Sequence, residues 1–255
     1  MATKTETDIL LYTEGTPNGL KISIALEELG LSYKFREIAL PKHEQKEPWF
    51  IEINPNSRIP AITDKDENGQ ELKIFESGAI LEYLAASYDK EHRISYPYGS
   101  KEHWEVTSWL MWQMAGVGPM QGQANHFARF APEKNPYSLS RYVHETRRLY
   151  RVLDTHLAAS PSGYLVGDRV TIADISIWPW VTAYKYSGLS GIDEFPNVQR
   201  WMYKLLERPG FEKGRHVPKP HLYLDLNKLN EEELNEISKY GMQWIQDAMA
   251  RDAAA

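Results

Sequence analysis

The chain has 255 residues, 42% of them apolar and 25% charged, with a net charge of −6 and no cysteine. That length supports one large domain or two ordinary ones. The composition excludes a disordered chain, a disulfide framework, a cysteine-based zinc site and a protein-borne thiol nucleophile. No apolar run approaches the roughly 18 residues that span a bilayer, and the polar stretch 1–8 lacks the hydrophobic segment of a secretory signal. No Lys/Arg stripe is present to suggest nucleic acid, so neither nucleic acid nor membrane is an expected partner.

Residues 9–12 are a short apolar run, predicted as a buried strand. Thr16-Pro17-Asn18-Gly19 then opens a helix carried by Ile22, Ala25, Leu26 and Leu29 and stopped by Gly30. Thr16 is placed to cap it, with Pro17 at the first position, where a missing N–H costs nothing. Residues 32–38 alternate Tyr33 and Phe35 with Lys34 and Arg36, which predicts a second strand parallel to the first. Residues 59–63 and 72–75 flank Asn68-Gly69, a hairpin signal. Helical spacing follows over 78–88. The order βαβ then ββα predicts a thioredoxin-like domain over 1–90, with a linker at 91–100. Amphipathic stretches at 101–121, 138–159, 172–187 and 196–207 predict an all-helical second domain over 101–214. Residues 215–255 form an extension with one helix, opened by Asn230 and Glu231, Glu232 and Glu233, striped by Leu234, Ile237, Trp244, Ile245 and Ala248, and closed by three alanines. It reads as a helix docked on the helical domain, or as a lid or partner site.

Three clusters carry possible chemistry. Thr16-Pro17-Asn18-Gly19 is either a turn and cap or an anion site at a helix N-terminus. Ile59-Pro60 is either a strand-edge proline or a cis peptide that turns the backbone of Ile59 outward to pair with an extended peptide ligand. Glu76-Ser77-Gly78 is either a cap or a receptor for a small zwitterion, with Ser77 on the carboxylate and Glu76 on the ammonium.

The runs Asn54-Pro55-Asn56-Ser57-Arg58-Ile59-Pro60-Ala61-Ile62 and Phe75-Glu76-Ser77-Gly78-Ala79-Ile80-Leu81-Glu82-Tyr83-Leu84 resemble the glutathione transferase superfamily. Thr16-Pro17-Asn18-Gly19-Leu20-Lys21, with residues 118–130, is similar to its bacterial nu class and to a fungal class named for the yeast nitrogen-catabolite regulator. The resemblance implies glutathione as co-substrate, no metal, a homodimer in the cytoplasm and a small electrophilic, disulfide or olefinic second substrate. It places Asn18 and Thr16 on the glutathione sulfur, in preference to Tyr12. Gln45 and Arg58 fall near the glycine end and backbone, Ile59 and cis-Pro60 on the cysteinyl backbone, and Glu76 and Ser77 on the γ-glutamyl group. It places the second substrate near Trp112, Met120, His126 and Arg129, with a core or surface role for His126 as the alternative. Three activities share the resulting thiolate: conjugation, disulfide exchange and double-bond isomerisation. A non-catalytic regulator is the competing reading. The yeast regulator's long Asn/Gln-rich extension has no counterpart in the eight residues before the first strand here.

Other motifs fail on spacing. Residues 15–21 lack the phosphate-loop pattern, and Gly188-Leu189-Ser190-Gly191 is one residue short of a hydrolase elbow. The eight histidines show no metal-ligand spacing. Thr171-Ile172-Ala173-Asp174 reads as a capping box, worth ~1 kcal/mol to the fold.

Overall fold

The structure, a computed structural model, describes residues 4–254; residues 1–3 of the polar start and the last alanine lie outside them. Four strands form one sheet in the order β2-β1-β3-β4, with β1 Leu10–Thr13, β2 Lys34–Glu37, β3 Ala61–Lys65 and β4 Glu71–Phe75. β1 and β2 are parallel, joined through α1 (Pro17–Leu29), while β3 runs antiparallel to both β1 and β4. The hairpin closes over 66–70, where the Asp66 carboxylate accepts from the N–H groups of Asn68 and Gln70 and Gly69 takes φ 75°. β2 is exposed along its whole length, although its alternation predicted a half-buried strand. As the outer strand, its Lys34 and Arg36 keep the open edge charged.

One face of the sheet packs on α1 and α3 (Ser77–Tyr88). The other carries Tyr12, Ile38, Phe50, Ile53 and Ala61, under the short α2 (Pro48–Ile51). α1 is buried on nearly every side because helices of the second domain cover what the sheet does not. α9 (Pro209–Gly214) approaches it so closely that a Cβ on Gly214 would lie 2.5 Å from the Ile24 backbone.

The helical domain begins with α4 (Lys101–Trp112) and α5 (Gly118–Asn125), followed by α6 (Pro136–Ala158), α7 (Ile172–Thr182) and α8 (Pro196–Leu206). The stretch predicted as one helix over 101–121 instead runs on to Phe130, interrupted by π turns at Gln113–Val117 and His126–Phe130. α7 is shorter than its predicted span and wholly buried rather than amphipathic. It is the central post of the domain. The capping box at its start is present, but Asp174 does more than cap. Fully buried, it accepts from Thr171 N–H at 2.9 Å, the Thr171 hydroxyl at 3.1 Å, Leu165 N–H at 3.1 Å and the Trp201 indole at 2.9 Å.

Beyond α9, the one-turn α10 (Tyr223–Leu226) leads to α11 (Glu231–Ala254), so the extension holds two helices. Asn230 and Glu233 cap α11 reciprocally. Its docked face differs from the predicted stripe: Leu234 and Ser238 are buried and Gly241 meets Phe130, while Ile237 is 52% exposed. α11 lies on the second π turn and also touches residues 40–42 of the first domain. It therefore spans both domains rather than covering the helical one alone. Among the described residues, no helix is long and apolar enough to cross a membrane.

Candidate functional site

A cavity of about 410 Å3 opens where the ends of β1 and β3 meet the helical domain. Thr16 and Asn18 line it at the N-terminus of α1. The Thr16 hydroxyl oxygen accepts from Gly19 N–H at 3.2 Å, which leaves its own proton available to a ligand. Only glycine fits at 19, because a Cβ there would lie 2.2 Å from the Glu14 carbonyl oxygen. That close approach starts the helix directly against the end of β1 and turns its free N–H groups toward the cavity.

Asn18 is oriented from across the domain boundary. Its Oδ1 accepts from the Trp180 indole N–H at 3.1 Å, so its NH2 group is left to donate into the cavity. Trp180 stands on α7, and its carbonyl in turn accepts from Gln121 at 2.6 Å. The arrangement presents a fixed donor and a helix dipole where an anion would sit, both of which favour a thiolate over a thiol. Tyr12 packs against Trp49 and Phe50 and does not line this cavity.

The opposite wall is built by the 54–60 loop and the start of α3. Buried Asn54 donates to the Arg58 carbonyl at 2.6 Å and accepts from Asn56 N–H, which shapes the loop. The Ile59–Pro60 bond is cis. Asn56 donates to Glu76 at 3.2 Å, and Glu76 holds φ 68°, a conformation uncommon for a residue with a side chain. Ser77 is buried beside it, and Gln45 closes the far end with an Oε1 that finds no partner among the described residues. The two halves of the pocket thus offer donors to a sulfur at one end and a carboxylate with a hydroxyl at the other.

Two family models match the chain: the N-terminal domain of glutathione S-transferase over residues 8–86 and its C-terminal domain over 136–202. The glutathione S-transferase-like protein tpcF of Aspergillus fumigatus is 42% identical over 217 residues, covering 81% of this chain and 94% of that protein. The disulfide-bond oxidoreductase YfcG of Escherichia coli is 41% identical over 201 residues, covering 78% and 90%. A crystal structure of a glutathione transferase homolog from Lodderomyces elongisporus, with two glutathione molecules per subunit, superposes with a TM-score of 0.78 at 45% identity, covering 83% of this chain and 99% of that one. The chain belongs to the glutathione transferase superfamily.

Within this superfamily's two-domain frame, the residues expected to hold glutathione converge: Thr16, Asn18, Gln45, Arg58, Ile59, Pro60, Glu76 and Ser77 all line the one cavity. The residues expected around the second substrate do not. Trp112 and Met120 line a separate depression beside Arg141 and Arg148. Arg129 is buried and committed to α11, bonding Glu231 at 2.7 Å and Asn235 at 2.9 Å. His126 alone of the four faces an open cavity next to the first. The two π turns explain the displacement, since each inserts a residue and rotates everything downstream around the helix.

Sequence reasoning missed Trp180 and Lys21. Lys21 is fully buried beneath Ser77, donating to Ser77 Oγ at 3.1 Å and to Gln113 Oε1 at 2.6 Å. Burial pulls its ammonium down from 10.5 to about 7, against the raising influence of Glu76. The lysine ending the Thr16-to-Lys21 run was the available signal, but a lysine on a helix ordinarily points to water. Its depressed pKa has a consequence for stability. Between the folded value near 7 and the unfolded value of 10.5, the unfolded chain binds the extra proton, so stability rises with pH across that window. Lys21→Met should lack this rise. Urea midpoints of the two proteins, measured between neutral and mildly alkaline pH, should therefore shift relative to each other by up to ~1.4 kcal/mol per pH unit. A parallel response in both would show that Lys21 keeps its proton.

Proposed function

We propose that this protein binds glutathione in the first cavity, ionises its thiol, and directs the thiolate at a small electrophile or at the disulfide of a second molecule. The observation that carries the reading is the Asn18 amide, held by Trp180 with its N–H groups toward the cavity at the head of α1. A thiol with a free pKa near 8.5 needs ~2.7 kcal/mol of preference for the thiolate to ionise two units lower. A helix N-terminus with the Asn18 amide and the Thr16 hydroxyl is of the right size to supply it. In this reading Glu76 accepts from the γ-glutamyl ammonium, Ser77 donates to its carboxylate, and Ile59 pairs with the cysteinyl backbone. Gln45 and Arg58 take the glycine end.

The chemistry then belongs to glutathione. In conjugation a sulfur–carbon bond forms as the electrophile's leaving group or π electrons accept the pair. In exchange the thiolate attacks one sulfur, the disulfide breaks, and the departing thiolate takes a proton. Isomerisation would use the same addition, followed by loss of glutathione. The disulfide-bond oxidoreductase name of the Escherichia coli relative supports exchange, and the fungal relative's name supports the transferase side.

The Asn18 signature supports placement in the nu class or its fungal counterpart. A homodimer in a reducing cytoplasm completes the proposal. It is supported by the exposed apolar face bearing Tyr98, Trp104 and Met111. The test is turnover with a chromogenic aromatic electrophile and with a glutathione-capped disulfide, alongside the ultraviolet band of bound thiolate as pH is varied. Activity in at least one assay and a thiol pKa well below that of free glutathione are expected. Tight glutathione binding with silence in both assays would leave a regulator instead.

A further inference from the structure

A second cavity, about 830 Å3, adjoins the first, and Gln45, Asn56, Arg58 and Trp244 line both. One of its walls is α11, which presents Trp244, Ile245, Ala248 and Met249, with Phe130 beside them. Its other lining residues include Ser57, Arg58, Gln123 and His126. Among the described residues that line it there is neither aspartate nor glutamate.

This chemistry fits a second glutathione poorly. Glutathione carries an ammonium group, and the first cavity offers Glu76 to receive it. The second offers no carboxylate, and a desolvated ammonium without an anionic partner is costly. Four residues of α11 instead form a wall that an apolar body would cover and that a zwitterionic tripeptide would leave largely unused. Arg58, on the other side, supplies a positive group with no side-chain acid beside it in the lining. The wall is also fixed in place, because the buried Arg129 anchors α11 through Glu231 and Asn235.

We infer that the second cavity takes an apolar, conjugated molecule bearing one anionic group, seated with its body on Trp244, Ile245 and Met249 and its anion toward Arg58, in preference to a second glutathione. The inference rests on the first cavity holding glutathione. It sets this chain apart from the Lodderomyces homolog, which holds two glutathione molecules per subunit. It also favours conjugation or isomerisation of an amphipathic acid over exchange with glutathione disulfide.

The test uses the full chain saturated with S-methylglutathione, which fills the first cavity without a reactive thiol. Anilinonaphthalene sulfonate, its uncharged analogue phenylnaphthylamine, and free glutathione are then titrated by calorimetry. The sulfonate should bind once per subunit, at least ~10-fold tighter than either of the others. Ile245→Glu, which adds a carboxylate to the apolar wall, should weaken the sulfonate by ~10-fold or more. Ile245→Leu should not, and S-methylglutathione affinity should hold in both variants. Sulfonate binding that ignores Ile245→Glu, that shows no preference over phenylnaphthylamine, or that is weaker than a second equivalent of glutathione would overturn the inference. Failure of the initial S-methylglutathione titration would instead remove the proposed function beneath it.

Discussion

Asn18→Ala should lower kcat/KM by ~10²- to 10³-fold, the scale on which loss of one donor to a developing anion is felt. The substitution removes the amide aimed at the sulfur and leaves the γ-glutamyl end of the site intact, so glutathione affinity should change far less than turnover. The bound thiol's pKa should rise in step. Trp180→Phe keeps the ring that packs beside Gly118 and Gly122 but removes the N–H that holds Asn18 Oδ1. The freed amide can then rotate, and a loss of ~10-fold is expected, typical for removing a group that orients another. Because Trp180 acts through Asn18, the double variant should be no worse than Asn18→Ala alone. Multiplying losses in that cycle would mean that Trp180 meets the ligand independently, and an unaltered thiol pKa in Asn18→Ala would dismiss the amide's role.

Asp174→Ala should destabilise the protein by about 4 kcal/mol, well beyond the ~1 kcal/mol of an ordinary helix cap. The excess comes from stranded donors: Leu165 N–H, Thr171 N–H and the Trp201 indole all lose a buried acceptor at once. Thr171→Val removes one hydroxyl and should cost roughly 1 kcal/mol. Urea midpoints at constant m-value separate the two. A difference between the variants of less than about 1 kcal/mol would mean that water replaces the carboxylate, contrary to its complete burial. In the fraction that remains folded, glutathione binding should be normal, since Asp174 is not among the residues lining the cleft.

The half of the site that was legible in the sequence is the half written locally. Thr16, Pro17 and Gly19 act within one turn of each other, and Glu76 and Ser77 open a helix whose apolar spacing is plain. Their meaning could be read from capping rules and from the superfamily's runs. The partners that complete the site are distant in the chain: Trp180 reaches Asn18 across 162 positions, and Gln113 reaches Lys21 across 92. No periodicity encodes such a pairing. The second-substrate residues failed for another physical reason. Helical phase was extrapolated through a stretch where two π turns reset it, so Trp112 and Met120 came to face away from the cleft and Arg129 faced the tail. Ile237 was misjudged because an apolar stripe cannot show that serine and glycine, at 238 and 241, make the closer contact.

The pairing of Arg129 with α11 bears on how this protein can be recombined with its relatives. The Arg129 side chain is 1% exposed, and its carboxylate partner Glu231 lies 102 residues downstream on a different helix. Cutting the tail away strands a guanidinium in the interior, and grafting the tail onto a relative with no arginine at that place strands a carboxylate. Position 129 and the final helix therefore form one exchangeable part, and a working chimera has to move them together.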